Sequence, residues 1–418
     1  MRRPYIYIFL IVLIFSYIFT SVDFKDKKFE SEIITIKGVV TEKTIKDKRT
    51  EYKIANYLVS DYSMKSNLKI GKIVEIEGKY KSLYILSRGN FDYARNIKSR
   101  GYKALINLKS YKVVGENKFY ISIGNLKSYI KETIRFLYKK DSNFINSLLI
   151  SDKSDLTDEE REMLSRTGTS HIIAISGLHI GIICSFIIFI IKDINKISKL
   201  TLVVMILASY AIIIGASPSI VRAIGFVLLS YFGIFIDKKK DYISILAFLA
   251  TLIIILNSYI IYNVSFQLSF LATLSIIYFE RYLIKIVKFK FISLTLSANI
   301  LTLPIIYYTF GGISLITVVA NIVIVPFISV ILVLAFFSLI IFLISINVAK
   351  ILAYINIALI NNIFYVLDKL SEWKYSYFEF ENPKMSVVVI YYVIVFSLMI
   401  YLEIKEMEEQ SCELKGYL

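Results

Sequence analysis

The sequence predicts a polytopic α-helical membrane protein that carries a small β-barrel domain outside the membrane. Three observations lead there. Of the 418 residues, 56% are hydrophobic, against roughly 45–50% in a soluble domain. Apolar runs long enough to cross a bilayer, which takes about 20 residues each, recur from residue 171 to 402. Between the first apolar run and the rest lies a basic, strand-like stretch, residues 31–114. This composition excludes a large soluble enzyme, and the two histidines in the whole chain exclude a His-rich metal centre.

At the N-terminus, Arg2 and Arg3 precede an apolar run from Tyr5 to Phe19. The run closes with Ile18-Phe19-Thr20-Ser21, which lacks the small residues of a signal-peptidase site, so residues 1–20 read as an uncleaved signal anchor. Basic residues stay on the cytoplasmic side. The N-terminus is therefore expected inside, with residues 21 to about 165 outside.

Net charge is +16, and residues 21–120 alone contribute +10. In this stretch Ile33–Ile45, Glu51–Val59, Lys72–Tyr80 and Lys103–Val114 are rich in β-branched residues and alternate, with Gly38, Gly71, Gly78, Gly89 and Gly101 between or within them. Together with a helical turn at Asp92–Arg100, the pattern predicts an extracellular OB-like small β-barrel domain over residues 21–118. A basic barrel offers lysines and arginines to phosphates and aromatic faces to bases. Candidates for single-strand binding are Tyr52, Lys53, Lys72, Tyr80, Lys81 and Arg88, with Tyr57, Tyr62 and Tyr84 as further stacking faces. The plainer reading makes the charge a solvated face and the tyrosines barrel core.

Residues 119–165 form no span and read as interfacial amphipathic helices. Ile123, Leu126, Ile130, Ile134 and Leu137 recur at helical spacing, with Lys127, Lys131, Arg135 and Lys139 on other faces. Ser154–Asp158 supplies an N-cap ahead of a second short helix. A polytopic domain is expected over 166–403, with spans near 171–191, 200–215, 219–236, 242–261, 264–280, 291–308, 313–346 and 386–402. The loops Lys192–Lys199, Asp237–Asp241 and Arg281–Lys290 are basic, whereas those at Ser217, Tyr259 and Gly311 are not, which agrees with a cytoplasmic N-terminus. The run 313–346 contains Pro326 and reads as one tilted helix or a re-entrant hairpin. Residues 348–370 read as an amphipathic surface helix, and the acidic tail 404–418 is expected in the cytoplasm.

The most distinctive stretch is Arg166-Thr-Gly-Thr-Ser-His-Ile-Ile-Ala-Ile-Ser-Gly-Leu-His-Ile-Gly181. On a helix His171 and His179 stand about 12 Å apart along the axis, too far to share a metal. Ser176 and His179 at i, i+3 raise a serine-hydrolase reading, against which no acidic residue lies nearby to orient the histidine. Gly177 and Gly181 form a small-residue packing motif. A second polar cluster, Gly215-Ala-Ser-Pro-Ser-Ile-Val-Arg222, sets Arg222 about one turn inside a span. A central arginine costs at least ~2.5–3.5 kcal/mol on insertion scales and marks a functional site, unless it snorkels to the headgroups. Gln267, Asn299 and Asn321 are further polar points at depth. Pro218, Pro304 and Pro326 are expected helix breaks, and broken helices beside amides suggest a wet path.

These residues carry a family resemblance. The runs Ser147-Leu-Leu-Ile-Ser-Asp152, Arg166-Thr-Gly-Thr-Ser-His171, Ile175-Ser-Gly-Leu-His-Ile180, Pro218-Ser-Ile-Val-Arg222, Phe266-Gln-Leu-Ser-Phe270, Pro304 and Ala320-Asn321 with Pro326 resemble the competence domain of the ComEC family of DNA-uptake channels. Asn90-Phe-Asp-Tyr93 with Arg100-Gly101-Tyr102 is similar to a segment of that family's external OB-like domain. The resemblance implies a channel that passes single-stranded DNA into the cytoplasm of a bacterial cell, the barrel receiving the strand. The family pattern falls on Ser176, Gly177, His179, Arg222 and Gln267, and His171, His179 and Arg222 are the groups suited to offset phosphate charge.

Many ComEC-like chains continue into a metallo-β-lactamase-like domain, but no His-x-His-x-Asp-His motif and no P-loop occur here. The chain is accordingly expected to be a channel and not an enzyme, without cofactor. It would work in membrane lipid with a separate DNA receptor, a nuclease and a cytoplasmic ATPase or helicase, and self-association stays open. Cys184 is intramembrane and Cys412 lies in the tail, so no disulfide staples the barrel. Competing readings are a permease for a small solute or lipid precursor, an intramembrane hydrolase built on Ser176 and His179, and a paralogue that no longer transports DNA.

Overall fold

The computed structural model describes residues 4–23, 32–46, 48–81, 83, 92–173, 177–191, 195–215, 218–235 and 241–416. Arg88 and Ser176, both expected at sites, lie outside the described residues. The first described element is helix α1 (Pro4–Asp23), predominantly apolar. Five strands follow: β1 (Ile33–Lys46), β2 (Arg49–Ile54), β3 (Tyr57–Asp61), β4 (Lys72–Lys81) and β5 (Leu105–Glu116). They close into a barrel in the order β1-β2-β3-β5-β4, with β3 and β5 parallel and the other pairs antiparallel.

Alternation explains the barrel. Val74 and Ile76 point inward while Glu75 and Glu77, which alternate with them, are exposed, and Val40, Tyr52, Ile54, Val59, Leu68 and Ile106 complete the core. The run Glu51–Val59, expected as one strand, is a hairpin. Ala55 and Asn56 take φ of 49° and 65°, the two left-handed positions of a tight turn. Gly78 sits at a register shift, where a Cβ would stand 2.6 Å from the Asn107 carbonyl oxygen. Between β4 and β5 lies α2 (Tyr93–Ser99), capped by Asp92, whose carboxylate accepts from the Arg95 amide at 2.9 Å.

After the barrel come α3 (Lys118–Tyr138), α4 (Ser142–Ile150) and α5 (Asp158–Arg166). The last starts at a capping box formed by Thr157 and Glu160. The rest is α6 (Gly177–Ile190), α7 (Lys196–Ile214), α8 (Pro218–Phe235), α9 (Tyr242–Leu256), a 3-10 turn Ser258–Tyr262, α10 (Val264–Val287), α11 (Lys290–Phe310), β6 (Gly312–Ser314), α12 (Thr317–Phe342), α13 (Ile346–Ser371), β7 (Tyr377–Glu379) and α14 (Met385–Gly416). Strands β6 and β7 pair antiparallel. Among the described residues, α1, α7, α11, α12, α13 and α14 are long and apolar enough to cross a membrane, and α6, α8 and α9 hold shorter apolar helices. The chain is a membrane protein.

Several expectations are corrected. Residues 348–370 lie within α13, which is long and apolar enough to span. It buries Ala349, Ala353, Asn356, Ile360, Ile363 and Leu367 at helical spacing, mainly against α12. Helix α12 runs unbroken through Pro326, so no re-entrant hairpin forms. The stripe of α3 that contains Ile134 and Leu137 packs into the protein core with α12 and α13, and Phe119, Leu126, Tyr129 and Phe136 are its exposed apolar residues.

Pro304 is also inside a continuous helix, α11, and a neighbour explains how. A mid-helix proline leaves the carbonyl four residues back without its amide donor. Here the Tyr391 hydroxyl donates to that carbonyl, Ile300, at 3.0 Å, and the adjacent Tyr392 hydroxyl donates to the Leu301 carbonyl at 2.8 Å, both from α14. Neighbouring hydroxyls that satisfy freed carbonyls are what make proline tolerable in a spanning helix. Pro218 begins α8, where its missing amide costs nothing.

The helices pack as three groups, the first two meeting at α8 and the last two at α10. Buried residues of α3 to α8, α12 and α13 form one core. Residues of α1, α8, α9 and α10 form a second, and α10, α11 and α14 a third. The barrel is seated on this bundle through α2. Lys98 Nζ donates to Asp23 at 2.6 Å and to the Tyr259 hydroxyl at 2.7 Å. Asn257 donates to the Ser99 carbonyl at 2.8 Å, and the Arg95 guanidinium lies 4.7 Å from the Tyr262 ring centre.

Candidate functional site

Arg222 stands on α8 where these groups meet, and only 9% of it is exposed. Its Nε donates to Ser269 Oγ at 2.6 Å and its Nη1 to Thr273 Oγ1 at 2.9 Å, both on α10. The two hydroxyls are four residues apart and so share one face of that helix. On the opposite side, α6 comes close because residue 177 is glycine. A Cβ there would lie 3.2 Å from Arg222 Nη2. The Phe270 ring centre is 6.0 Å from the guanidinium carbon. Among the described residues no carboxylate forms an ion pair with Arg222. Neutral hydroxyls orient the guanidinium without cancelling its charge, so its field remains available to an anion.

The other expected site residues divide. His179 is buried in the first turn of α6, two residues from Gly177. His171 is exposed in the preceding turn, its Nδ1 3.2 Å from the Gly168 carbonyl oxygen, and makes no hydrogen bond to the Arg222 cluster. The Gln267 amide donates to the Ile261 carbonyl at 2.7 Å and closes the turn into α10. Asn299 donates to the Thr295 carbonyl of its own helix at 2.9 Å. Asn321 is buried on α12. Sequence reasoning passed over Ser269 and Thr273. Their signal was a pair of hydroxyl residues at i, i+4 within an apolar run, facing a span with a buried arginine.

On the barrel, Tyr52 is no stacking face. It is 0% exposed, and its hydroxyl donates to the Ser66 carbonyl at 2.9 Å inside the core. Lys53 pairs with Glu42 at 3.2 Å and lies 5.4 Å from the Tyr102 ring centre. Lys72 pairs with Glu116. Tyr80 is half-buried and Lys81 exposed. Tyr62 is an aromatic that solvent reaches, 56% exposed, with the Arg49 guanidinium carbon 5.7 Å from its ring centre. The turn that presents it is pinned by Asp61, which accepts from the Ser63 amide at 2.8 Å and the Ser66 amide at 2.9 Å. Burial pushes the Asp61 carboxyl up, but hydrogen bonds from Ser63 and Ser66 outweigh it and hold the group at about 2.

Between the barrel and the spans, Lys131 on α3 bridges Asp152 at 2.8 Å and Asp155 at 2.9 Å, and Arg135 reaches Asp155 at 2.9 Å. Burial opposes the charges, yet the hydrogen bonds from Lys131 keep both carboxyls below their ordinary range. This ionic clamp fixes the loop 151–157 to α3.

A family model described as Competence protein matches residues 148–405, more than half of the chain. The chain belongs to the Competence protein family. The match contains Gly177, His179, Arg222, Ser269 and Thr273, whereas the barrel and α3 precede it. ComE operon protein 3 of Bacillus subtilis (strain 168) is 28% identical over 218 residues, which are 51% of this chain and 28% of that relative. The Competence family match thus falls on the helical bundle, where the buried guanidinium lies.

Proposed function

We propose that this chain is a membrane channel that passes single-stranded DNA into the cytoplasm in natural transformation, in a bacterial cell membrane. The observation that carries the reading is Arg222. A guanidinium buried among helices, held by two hydroxyls and matched by no carboxylate among the described residues, is stabilised by a passing phosphodiester. A permease for an uncharged solute or lipid precursor has no use for that charge.

The remaining parts fit the same scheme. The external barrel, closed in the order β1-β2-β3-β5-β4, serves as an OB-type module that receives the strand, with Tyr62 and Arg49 as its stacking contact. The basic loops after α8 and α10 support a cytoplasmic side for those helix ends. Arg281 near the end of α10 pairs with Glu403 at 3.5 Å and Glu406 at 3.1 Å, which supports a cytoplasmic acidic tail beside it. The exposed apolar side chains of α3, Phe119, Leu126, Tyr129 and Phe136, meet the outer interface. A separate receptor, a nuclease and a cytoplasmic ATPase or helicase supply the steps for which this chain offers no motif.

The test is entry of labelled transforming DNA into a deletion strain complemented with variants. Arg222→Ala is expected to cut protected cytoplasmic DNA about 10- to 100-fold, the worth of one lost charge-assisted contact, while DNA bound at the surface persists. Arg222→Lys should recover part of the loss, because a point charge remains without the fork. Undiminished entry in the deletion strain contradicts the channel reading.

A further inference from the structure

Asn146 on α4 is 1% exposed, and neither its Nδ2 nor its Oδ1 has a hydrogen-bond partner among the described residues. The same is true of Oδ1 of Asn356 on α13, 0% exposed, and of Oδ1 of Asn321 on α12, 7% exposed. Buried amides without partners are rare in native cores, and each calls for a physical account. Here three occur in one helical unit, since α12 packs on both α13 and α4, and all three leave a carboxamide oxygen unanswered.

Hydrogen bonds, a ring contact and axial spacing set them along the unit. Asn356 Nδ2 donates to the Ile331 carbonyl at 3.0 Å and to the Tyr138 hydroxyl at 3.1 Å, and that hydroxyl lies 2.9 Å from Ser338 Oγ. The bond to Ile331 also fixes which end of the Asn356 amide is oxygen. Asn321 is ten residues from Ile331 on α12, about 15 Å along the axis. On α13 the Phe364 ring, eight residues beyond Asn356, packs at 4.9 Å on Phe144, two residues from Asn146. The amides are therefore spaced out along the unit and do not converge on one point.

We propose that α3, α4, α12 and α13 enclose a file of bound water running past Asn356, Asn146 and Asn321. The chemistry selects this occupant. Three neutral acceptors strung out along a seam suit a chain of small neutral donors, each water needing two or more polar partners. The hydroxyls of Tyr138 and Ser338 extend the chain. This path is separate from the Arg222 cluster, which is built by α6, α8 and α10, and does not depend on what passes there.

Hydroxyl-radical footprinting by short X-ray exposures, on the full chain in lipid nanodiscs, reads bound water directly because radicals form where water sits. Tyr138 and Tyr52 are an internal pair, both 0% exposed with a bonded hydroxyl. Tyr138 is expected to be modified several-fold faster than Tyr52, and Asn146→Leu to slow modification of Phe144 by a similar factor. Equal rates at the two tyrosines in the unaltered protein overturn the proposal, and that comparison needs no variant to fold. Faster Tyr138 modification with Phe144 unchanged in Asn146→Leu removes Asn146 from the file and overturns its stated course.

Discussion

The barrel and the helical bundle handle positive charge in opposite ways. In the barrel, where most of the surplus lies, several cations are answered locally. Lys46 and Arg49 share Glu51, Lys53 faces Glu42, and Lys72 faces Glu116. In the bundle one guanidinium is buried at a helix junction and its partners are hydroxyls. Abundant surface charge is paired and screened, each exposed pair contributing little. A scarce buried charge without a counter-ion keeps its full field. The count of +16 therefore points to the barrel, while the geometry points to Arg222.

Lys131 is the intermediate case, a half-buried cation with two carboxylates, and removing it sharpens the contrast. Lys131→Met leaves Asp152 and Asp155 with Arg135 alone to share, and is expected to lower stability by about 1–3 kcal/mol in a thermal melt in detergent. The sign with pH follows. Both carboxyls are depressed in the folded protein, so their contribution is present above the ordinary carboxylate pKa and is lost as pH falls through the lowered values. The variant should show a shallower acid-side loss. An unchanged melt and acid profile would sink the clamp.

The next effect concerns neutral groups. Removing the hydroxyl that answers the carbonyl freed by Pro304, with Tyr391→Phe, is expected to cost about 1 kcal/mol, the scale of interhelical hydrogen bonds in membranes. Pro304→Ala restores the helix's own donor and should make the tyrosine change nearly silent, and a double-mutant cycle reads the coupling. Smallest of all is the barrel's paired charge. Lys53→Gln should change barrel stability by less than about 1 kcal/mol, and a larger loss breaks the claim that surface pairing there is cheap.

Much of this was legible in the sequence because period and depth are written in residue type. The alternation around Val74 and Ile76 and the apolar first helix stand where expected. What was not legible is which way a polar side chain turns. Asn299 and Gln267 look alike from sequence, yet each is consumed by a nearby backbone carbonyl. Tyr52 looked like a stacking face until β2 turned it inward. Pro304 read as a break because the donors that rescue α11 lie some ninety residues downstream. The partners of Arg222 were hidden for the same reason, Ser269 being 47 residues away in sequence.

The central claim is that Arg222 acts through a charge left uncancelled, and supplying a counter-ion tests it without removing the arginine. Ser269→Asp places a carboxylate at the position that now accepts from Arg222 Nε at 2.6 Å. With protein level and surface DNA binding equal to wild type, the account expects entry of labelled DNA to fall about 10-fold or more, comparable to Arg222→Ala. Wild-type entry in the Ser269→Asp strain would contradict it.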